Sequence, residues 1–216
     1  MTPVRIAYQT IEFGKIDIHL RTLRDNQQYS DPNGVAEKLG IHSGLWPLFG
    51  VVWPSSLVLS HFLLHYNFAN KRILEIGCGI GLSSLLLNRL SADITATDYH
   101  PEVEGFLNEN AQLNKDEKIP FVLADWKNEN AELGTFDLIV GSDVLYESDQ
   151  IKLLSKFINH HAKKSCTVIV VDPGRGHQAK FSKQMNAQGF SSEAHAPEDT
   201  SFLEKPFSGK ICEFAR

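Results

Sequence analysis

The stretch "ILEIGCGIGL", residues 73–82, decides the fold of this chain. Its first four residues are mostly apolar and lead into glycines at positions 77, 79 and 81. A glycine-rich turn between a strand and a helix lets backbone N–H groups and the helix N-terminus approach a ligand closely. The sequence therefore predicts a nucleotide-like cofactor at the end of a buried strand.

Working outward from this loop, short apolar runs alternate with segments of helical periodicity from residue 71 onward. The strands are predicted at 72–76, 94–98, 120–125, 136–143 and 166–172. Nearly continuous apolar strands are typical of parallel sheets that helices cover on both faces. The alternation predicts a doubly wound α/β fold with a mostly parallel sheet, which an antiparallel pair at 189–195 and 209–216 extends to seven strands.

Residues 1–70 do not follow this alternation. Residues 16–23 alternate in polarity and predict a strand, paired with the segment 4–10, and residues 55–66 predict a helix. No polar linker separates this part from the α/β core at 71–216. We therefore expect one domain over the whole chain, with an N-terminal cover made of a β-hairpin and a helix.

The composition limits where the protein works and what it binds. Of its 216 residues, 42 % are hydrophobic and 22 % charged, with a net charge of -5, so we expect no nucleic-acid partner. The first 20 residues contain no apolar signal region, and no stretch is expected to span a bilayer. Three well-separated cysteines argue for a reducing compartment, and we expect a cytoplasmic protein. No pattern fixes an oligomeric state.

Two familiar cofactor classes do not match the glycine loop. A phosphate-binding loop needs a Lys after its last glycine, and none follows Gly81. The dinucleotide pattern G-x-G-x-x-G needs a glycine at position 82, where Leu82 stands. The carboxylate of Glu75, two residues before Gly77, would repel a pyrophosphate and suits a cation.

S-adenosylmethionine fits these requirements, because it has no phosphate, carries a sulfonium charge and has two free ribose hydroxyls. Asp98 ends the second core strand, where an acid can accept hydrogen bonds from both hydroxyls. Asp125 and Trp126 end the third and could flank the edge and face of an adenine. All these segments lie at the carboxyl ends of strands, where open α/β sheets bind ligands.

Several motifs resemble those of class I S-adenosylmethionine-dependent methyltransferases, and of their lysine-methyltransferase-like group, methyltransferase family 16. The motifs are "GVVWPSS" (50–56), "LEIGCGIGL" (74–82), "ATDYHPEV" (96–103), "LADW" (123–126) and "GSDVLYE" (141–147). The resemblance implies a Rossmann-like methyltransferase fold. It also implies cofactor contacts from Gly77, Gly79 and Gly81, and from Trp53 and Ser142.

The last of these motifs follows the fourth core strand, and the resemblance implies that this position faces the transferred methyl group. Asp143 and Tyr146 are three residues apart and could accept hydrogen bonds from an amine, turning its lone pair toward the methyl. The resemblance implies this catalytic role for both residues and a protein lysine as the acceptor. The two prolines of the Asn/Asp-Pro-Pro-Tyr motif, typical of enzymes that methylate amides and nucleobases, are absent.

Other interpretations remain open at this stage. The acceptor could be a small-molecule amine or heterocycle, or the chain could be a non-catalytic cofactor-binding module or a nicotinamide-dinucleotide oxidoreductase. Arg175, in "DPGR" (172–175), either contacts an acidic substrate or braces its turn. His61 and His65 have the spacing of metal ligands on a helix, but no third ligand is suggested nearby, and we predict no metal site.

Overall fold

The computed structural model describes residues 5–25, 31, 33–128 and 131–216. Its core is a seven-stranded sheet, as predicted. The strands are β3 (Arg72–Ile76), β4 (Asp93–Asp98), β5 (Phe121–Leu123), β6 (Phe136–Ser142), β7 (Ala162–Asp172), β8 (Ser191–His195) and β9 (Lys210–Ala215). The helices of the core are α3 (Leu82–Arg89), α4 (Val103–Leu113), α5 (Ile151–His161) and α6 (Gln178–Ala187).

The strand order across the sheet is β5-β4-β3-β6-β7-β9-β8. Strands β3 to β7 are parallel, and β9 pairs antiparallel with both β7 and β8. From β3 the chain adds β4 and β5 on one side, and it then crosses to the other side of β3 to add β6 and β7. The strand order therefore reverses between β3 and β6. Such a reversal opens a crevice beyond the carboxyl ends of the strands, where doubly wound sheets bind their ligands.

The sheet is buried on both faces, which explains its nearly continuous apolar strands. Neighbouring residues of β3 point to opposite sides, so that Ile73 belongs to one hydrophobic cluster and Leu74 to another. The first cluster includes buried side chains of α3 and α4, and the second includes those of α5 and α6. The prediction of a doubly wound fold is confirmed.

The N-terminal cover begins with the predicted hairpin of β1 (Ile6–Phe13) and β2 (Ile16–Leu23). Val4, which we placed in the first strand, lies outside the described residues. Asn110 of α4 and Asn114, the residue that follows the helix, bind the free edge of β2. The amide oxygen of Asn110 accepts from the Arg21 N–H at 2.7 Å, and that of Asn114 accepts from the His19 N–H at 2.8 Å. Their NH₂ groups donate back to the carbonyls of the same two residues, so the helix edge replaces a partner strand.

The rest of the cover consists of α1 (Val35–Lys38), two 3₁₀ turns and α2 (Pro54–Leu64). By length and composition alone, the segment Ser43–Leu64 could cross a membrane, contrary to our expectation that no stretch would. The 3₁₀ turns, Ser43–Leu45 and Leu48–Gly50, interrupt it, and Pro54 starts α2. Buried Leu59 and Leu63 join the first hydrophobic cluster, so α2 is packed as a core helix.

Two core strands differ in length from their predictions by three or more residues. β5 has three residues, not six, because the chain turns after it, and the Asp125 carboxylate accepts the Lys127 N–H at 3.0 Å. β7 begins at Ala162, four residues early, since Ala162 already pairs with Phe136 across an irregularity in register. Neither difference moves the carboxyl end of a strand away from the crevice.

Candidate active site

The glycine loop joins β3 to α3 at the point where the strand order reverses. Gly77, Gly79 and Gly81 have φ angles of 59°, 54° and 76°, in the left-handed region that favours glycine. A Cβ on Gly77 would lie 2.9 Å from Val144 Cγ1, and one on Gly79 would lie 3.3 Å from the Phe49 carbonyl oxygen. The loop therefore needs glycine both for its conformation and for its close neighbours.

Glu75, near the end of β3, is almost fully buried beneath this loop, with 2 % of its surface exposed. Its carboxylate accepts the N–H of Ser84, in the first turn of α3, at 2.9 Å and also accepts the Ser84 hydroxyl. Burial raises the pKa of Glu75 to about 7, the nearby Asp98 adds to the rise, and the bonds from Ser84 oppose it. Glu75 thus ties the strand to the helix, and its predicted place beside the charge of a cofactor remains a prediction.

Asp98, at the end of β4, is joined directly to the glycine loop. One of its oxygens accepts the Gly79 N–H and the other accepts the His100 N–H, both at 2.8 Å. Burial raises the pKa of Asp98, and the backbone hydrogen bonds partly offset this rise. A carboxylate has about four acceptor positions, so it retains capacity for ribose hydroxyls.

Trp126, after β5, borders the loop at Gly77, whereas Phe49 borders it at Gly79. The Trp126 ring comes within 4.0 Å of the position that a Cβ of Gly77 would occupy. Asp125 is half-buried. Partial burial raises the pKa of Tyr99, and the charge of Asp125 adds a smaller rise. The structure thus brings Trp126 to the glycine loop and places Asp125 two residues beyond the end of β5.

The aromatic segment before α2 reaches the loop through Phe49, which we did not assign to the site. Its ring stacks on His100 at a centroid distance of 4.1 Å, and its carbonyl borders Gly79. Trp53, which we assigned to the cofactor, is half-buried, and its indole N–H donates to the Leu48 carbonyl at 2.9 Å. Its cofactor contact stays a prediction.

The proposed catalytic residues follow β6, whose last residue is the half-buried Ser142. Asp143 has a φ of 54°, and its N–H donates to the Val171 carbonyl of β7 at 2.9 Å. Tyr146 is 44 % exposed. Partial burial of the phenol raises the pKa of Tyr146 to about 12, with additional contributions from Asp98, Glu147 and Asp143. This residue therefore keeps its proton near neutral pH.

Arg175 is the feature of this site that the sequence left open. Its Nε donates to Asp143 Oδ1 at 2.9 Å and its Nη2 to Oδ2 at 2.7 Å. The hydrogen bonds with Asp143 raise the pKa of the guanidinium, so it stays charged at all working pH values. Arg175 therefore braces the acid on which catalysis would depend, across 32 residues of sequence.

The donor set of this crevice fits S-adenosylmethionine. Gly77 and Gly79 form a surface that a side chain would fill. Asp98 offers acceptors to a ribose, and Trp126 offers a flat apolar side chain. The Asp98 carboxylate, which is bonded to the loop itself, would also disfavour a pyrophosphate there.

Comparison with known proteins supports the same class. The sequence pattern of a family described as lysine methyltransferase matches residues 45–188. The protein-lysine methyltransferase METTL21E of Bos taurus is 36 % identical over 134 residues, covering 56 % of this chain and 46 % of the relative. The calmodulin-lysine N-methyltransferase of Arabidopsis thaliana is 29 % identical over 150 residues, covering 63 % and 49 %. The chain thus spans about half the length of these curated relatives.

Solved structures share the fold at low identity. The T. thermophilus 16S rRNA N2 G1207 methyltransferase, in complex with AdoMet and guanosine, aligns with a TM-score of 0.69 and 13 % identity, covering 99 % of this chain and 51 % of that one. The Synechocystis magnesium protoporphyrin IX methyltransferase with bound SAM aligns with a TM-score of 0.58 and 20 % identity, covering 76 % and 77 %. Together with the family match over residues 45–188, the fold and its crevice identify this chain as a member of the lysine methyltransferase family, methyltransferase family 16.

Proposed function

We propose that this protein is an S-adenosylmethionine-dependent N-methyltransferase that acts on a lysine side chain of another protein. The observation that carries the proposal is the position of Asp143. It follows β6 at the reversal of strand order, beside the crevice formed by the glycine loop and Asp98. Lysine methylation is also the activity in the names of the two relatives described above.

Gly77, Gly79, Asp98 and Trp126 would hold the cofactor. Further predicted contacts are Trp53, Glu75, Gly81, Asp125 and Ser142. When bound, S-adenosylmethionine supplies a methyl group whose bond to sulfur breaks as the amine lone pair forms the new bond to carbon. The enzyme's part is then to place an uncharged amine in line with that methyl, and alignment of this kind can lower a barrier by several kcal/mol.

Asp143 and Tyr146 would perform this alignment. The carboxylate accepts a hydrogen bond from the amine, which turns the lone pair away from the acid. Because its pKa is about 12, the Tyr146 phenol stays protonated and acts as a hydrogen-bonding group, not as a base. The proton that the lysine must lose would pass to solvent, because neither role proposed here takes it up.

The test is labelling of an extract with tritiated S-adenosylmethionine, using cells from which the gene has been deleted so that the acceptor is unmethylated. Native protein and Asp143→Asn are run side by side, and the label is separated into protein and small-molecule fractions. We expect a discrete labelled protein whose label, after hydrolysis, elutes as methyl-lysine and is lost with Asp143→Asn.

Cofactor binding is measured separately through the melting temperature. Ligand at about 100 times its dissociation constant adds about 2.7 kcal/mol of stability, so S-adenosylhomocysteine should raise the melting temperature and NADH should not. Label confined to small molecules would support an amine or heterocycle as acceptor. Binding of S-adenosylhomocysteine without label in either fraction would support a non-catalytic module.

We further propose that the protein works in the cytoplasm. Cys78, Cys166 and Cys212 are free and buried, in agreement with a reducing environment. Burial raises the pKa of each of these thiols. A fluorescent fusion that located to a secretory or extracellular compartment would contradict this part of the proposal.

A further inference from the structure

The pairing of Arg175 with Asp143 has a geometry suited to a purpose beyond bracing a turn. Two parallel N–H···O bonds, at 2.9 and 2.7 Å, bind both oxygens of the carboxylate and fix its plane. The Asp143 side chain is only 13 % exposed, whereas that of Arg175 is 44 % exposed. The acid is thus held by a side chain whose own surface is much more open to water.

The backbone fixes both members of the pair just beyond the ends of two neighbouring strands, β6 and β7. The N–H of Asp143 donates to the Val171 carbonyl of β7, and Asp143 has a left-handed conformation with φ of 54°. Asp172, the last residue of β7, is 4 % exposed, and its carboxylate accepts the Gly174 N–H at 3.1 Å. This bond shapes the turn that carries Arg175, so the guanidinium reaches Asp143 from a defined position.

The pairing leaves the acid able to accept more hydrogen bonds. A carboxylate has about four lone-pair positions, and the guanidinium uses one on each oxygen. At least one further position on each oxygen is therefore not used by Arg175. An amine can bond there without displacing the guanidinium.

The charge of Arg175 bears on the protonation of that amine. A carboxylate within about 4–6 Å stabilises the charged form of a neighbouring group, so Asp143 alone would favour the ammonium that cannot accept a methyl group. A cation bonded to both oxygens cancels this effect while leaving the lone pairs available. Asp98 and Glu147 add negative charge near Tyr146, and Asp172 adds it near Arg175.

We propose that Arg175 is a positioning residue for methyl transfer, which orients the Asp143 carboxylate and cancels its charge so that the acceptor amine is hydrogen-bonded in its neutral form. Another cation, Lys180 of α6, donates to the Ser148 carbonyl at 2.9 Å and not to Asp143 among the bonds described. The inference rests on the proposed function, and it assigns the "DPGR" turn a part in the reaction.

The first experiment compares native protein with Arg175→Gln and Arg175→Lys. The probe is the extract of gene-deleted cells with tritiated S-adenosylmethionine, and the initial rate of protein labelling is measured from pH 7 to pH 10. For Arg175→Gln we expect the rise of rate with pH to move to higher pH by about one unit, which is about a tenfold loss at pH 8. Arg175→Lys keeps the charge without the planar pairing, so its profile should stay near the native position with a lower maximum.

A purely structural role for Arg175 would lower the rate equally at every pH. The inference is therefore overturned if the Arg175→Gln profile superimposes on the native one after scaling. It is also overturned if Arg175→Lys moves as far as Arg175→Gln, since then the charge is irrelevant. An extract that native protein does not label overturns the proposed function, and this inference with it.

A second measurement reports on the pair without any substrate. The Arg175 Nε–H resonance, assigned by its loss in Arg175→Lys, should exchange with solvent about tenfold more slowly in native protein than in Asp143→Asn, because a charge-assisted bond protects it. Equal exchange in the two proteins would show that the pairing is absent in solution. That result overturns the inference even if the extract is labelled, so the two failures are distinguishable.

Discussion

The Glu75 carboxylate accepts two hydrogen bonds from Ser84, one from the backbone N–H and one from the hydroxyl. These bonds join β3 to the first turn of α3 and satisfy an N–H that has no partner within the helix. The same carboxylate is almost fully buried, with a pKa of about 7 against an ordinary value of 4.5. The loop that would hold the cofactor is thus built on an acid that burial penalises when it is charged.

This raised pKa predicts a pH-dependent stability. The folded state holds the Glu75 proton more tightly than the unfolded state, so its contribution is greatest below about pH 4.5 and is lost as the pH rises to about 7. The shift corresponds to roughly 3 kcal/mol. We expect Glu75→Gln, which cannot ionise, to gain stability relative to native protein by this order between pH 4.5 and pH 8, measured by urea unfolding.

Because other groups titrate in both proteins, only the difference between native protein and Glu75→Gln is informative. If the substitution also changes stability through packing, that change shifts the free energy of unfolding of Glu75→Gln by the same amount at every pH. A difference that stays constant from pH 4.5 to pH 8 would show that Glu75 does not titrate in this range.

Gly77 and Gly105 make a matched pair for testing the loop. A Cβ at Gly77 would crowd Val144 in a left-handed conformation, whereas nothing lies within 4 Å of one at Gly105, inside α4. Gly77→Ala should cost about 1–3 kcal/mol and abolish the rise in melting temperature that S-adenosylhomocysteine gives. Gly105→Ala should instead stabilise the protein by about 0.5–1 kcal/mol and keep that rise. Unchanged ligand binding in Gly77→Ala would remove this glycine from the site.

Much of this architecture follows from local sequence. The five parallel strands stand out because both faces are buried, which makes the runs apolar, and a glycine or an acid ends several of them. Once the strands are placed, the carboxyl-end rule brings Asp98 and Asp143 to the same crevice without any knowledge of side-chain conformation. The predicted bounds of the closing antiparallel pair also lie within two residues of those of β8 and β9.

The contacts between side chains could not be predicted in this way. Arg175 meets Asp143 from 32 residues away, and Phe49 meets His100 from 51 positions away. Such pairings depend on rotamers and on how strands and cover are packed, which periodicity does not record. The sequence did indicate one such contact. Asn110 lies on the apolar face of α4, and a buried polar side chain needs a hydrogen-bond partner.

That partner gives a third prediction. Asn110 is fully buried, and its amide satisfies both the N–H and the carbonyl of Arg21. Asn110→Ala leaves these backbone groups without their partner, so we expect a loss of about 2–3 kcal/mol and faster hydrogen exchange at the Arg21 amide. Gln112→Ala, exposed on the same helix, should change the stability by less than about 0.5 kcal/mol. Equal effects of the two substitutions would mean that the hairpin does not depend on this contact.

The last prediction separates two roles for the Tyr146 phenol. If the phenol only hydrogen-bonds the acceptor, Tyr146→Phe should lower the rate of protein labelling by about tenfold, by the same factor from pH 7 to pH 9, because a pKa of about 12 keeps the phenol protonated. A general base would make the factor grow about tenfold with each pH unit. Tyr8→Phe, at an exposed position of β1, is the matched control and should leave the rate unchanged. Since no cofactor contact is assigned to the phenol, the melting-temperature rise with S-adenosylhomocysteine should persist in both variants, and its loss in Tyr146→Phe would place this residue in cofactor binding instead.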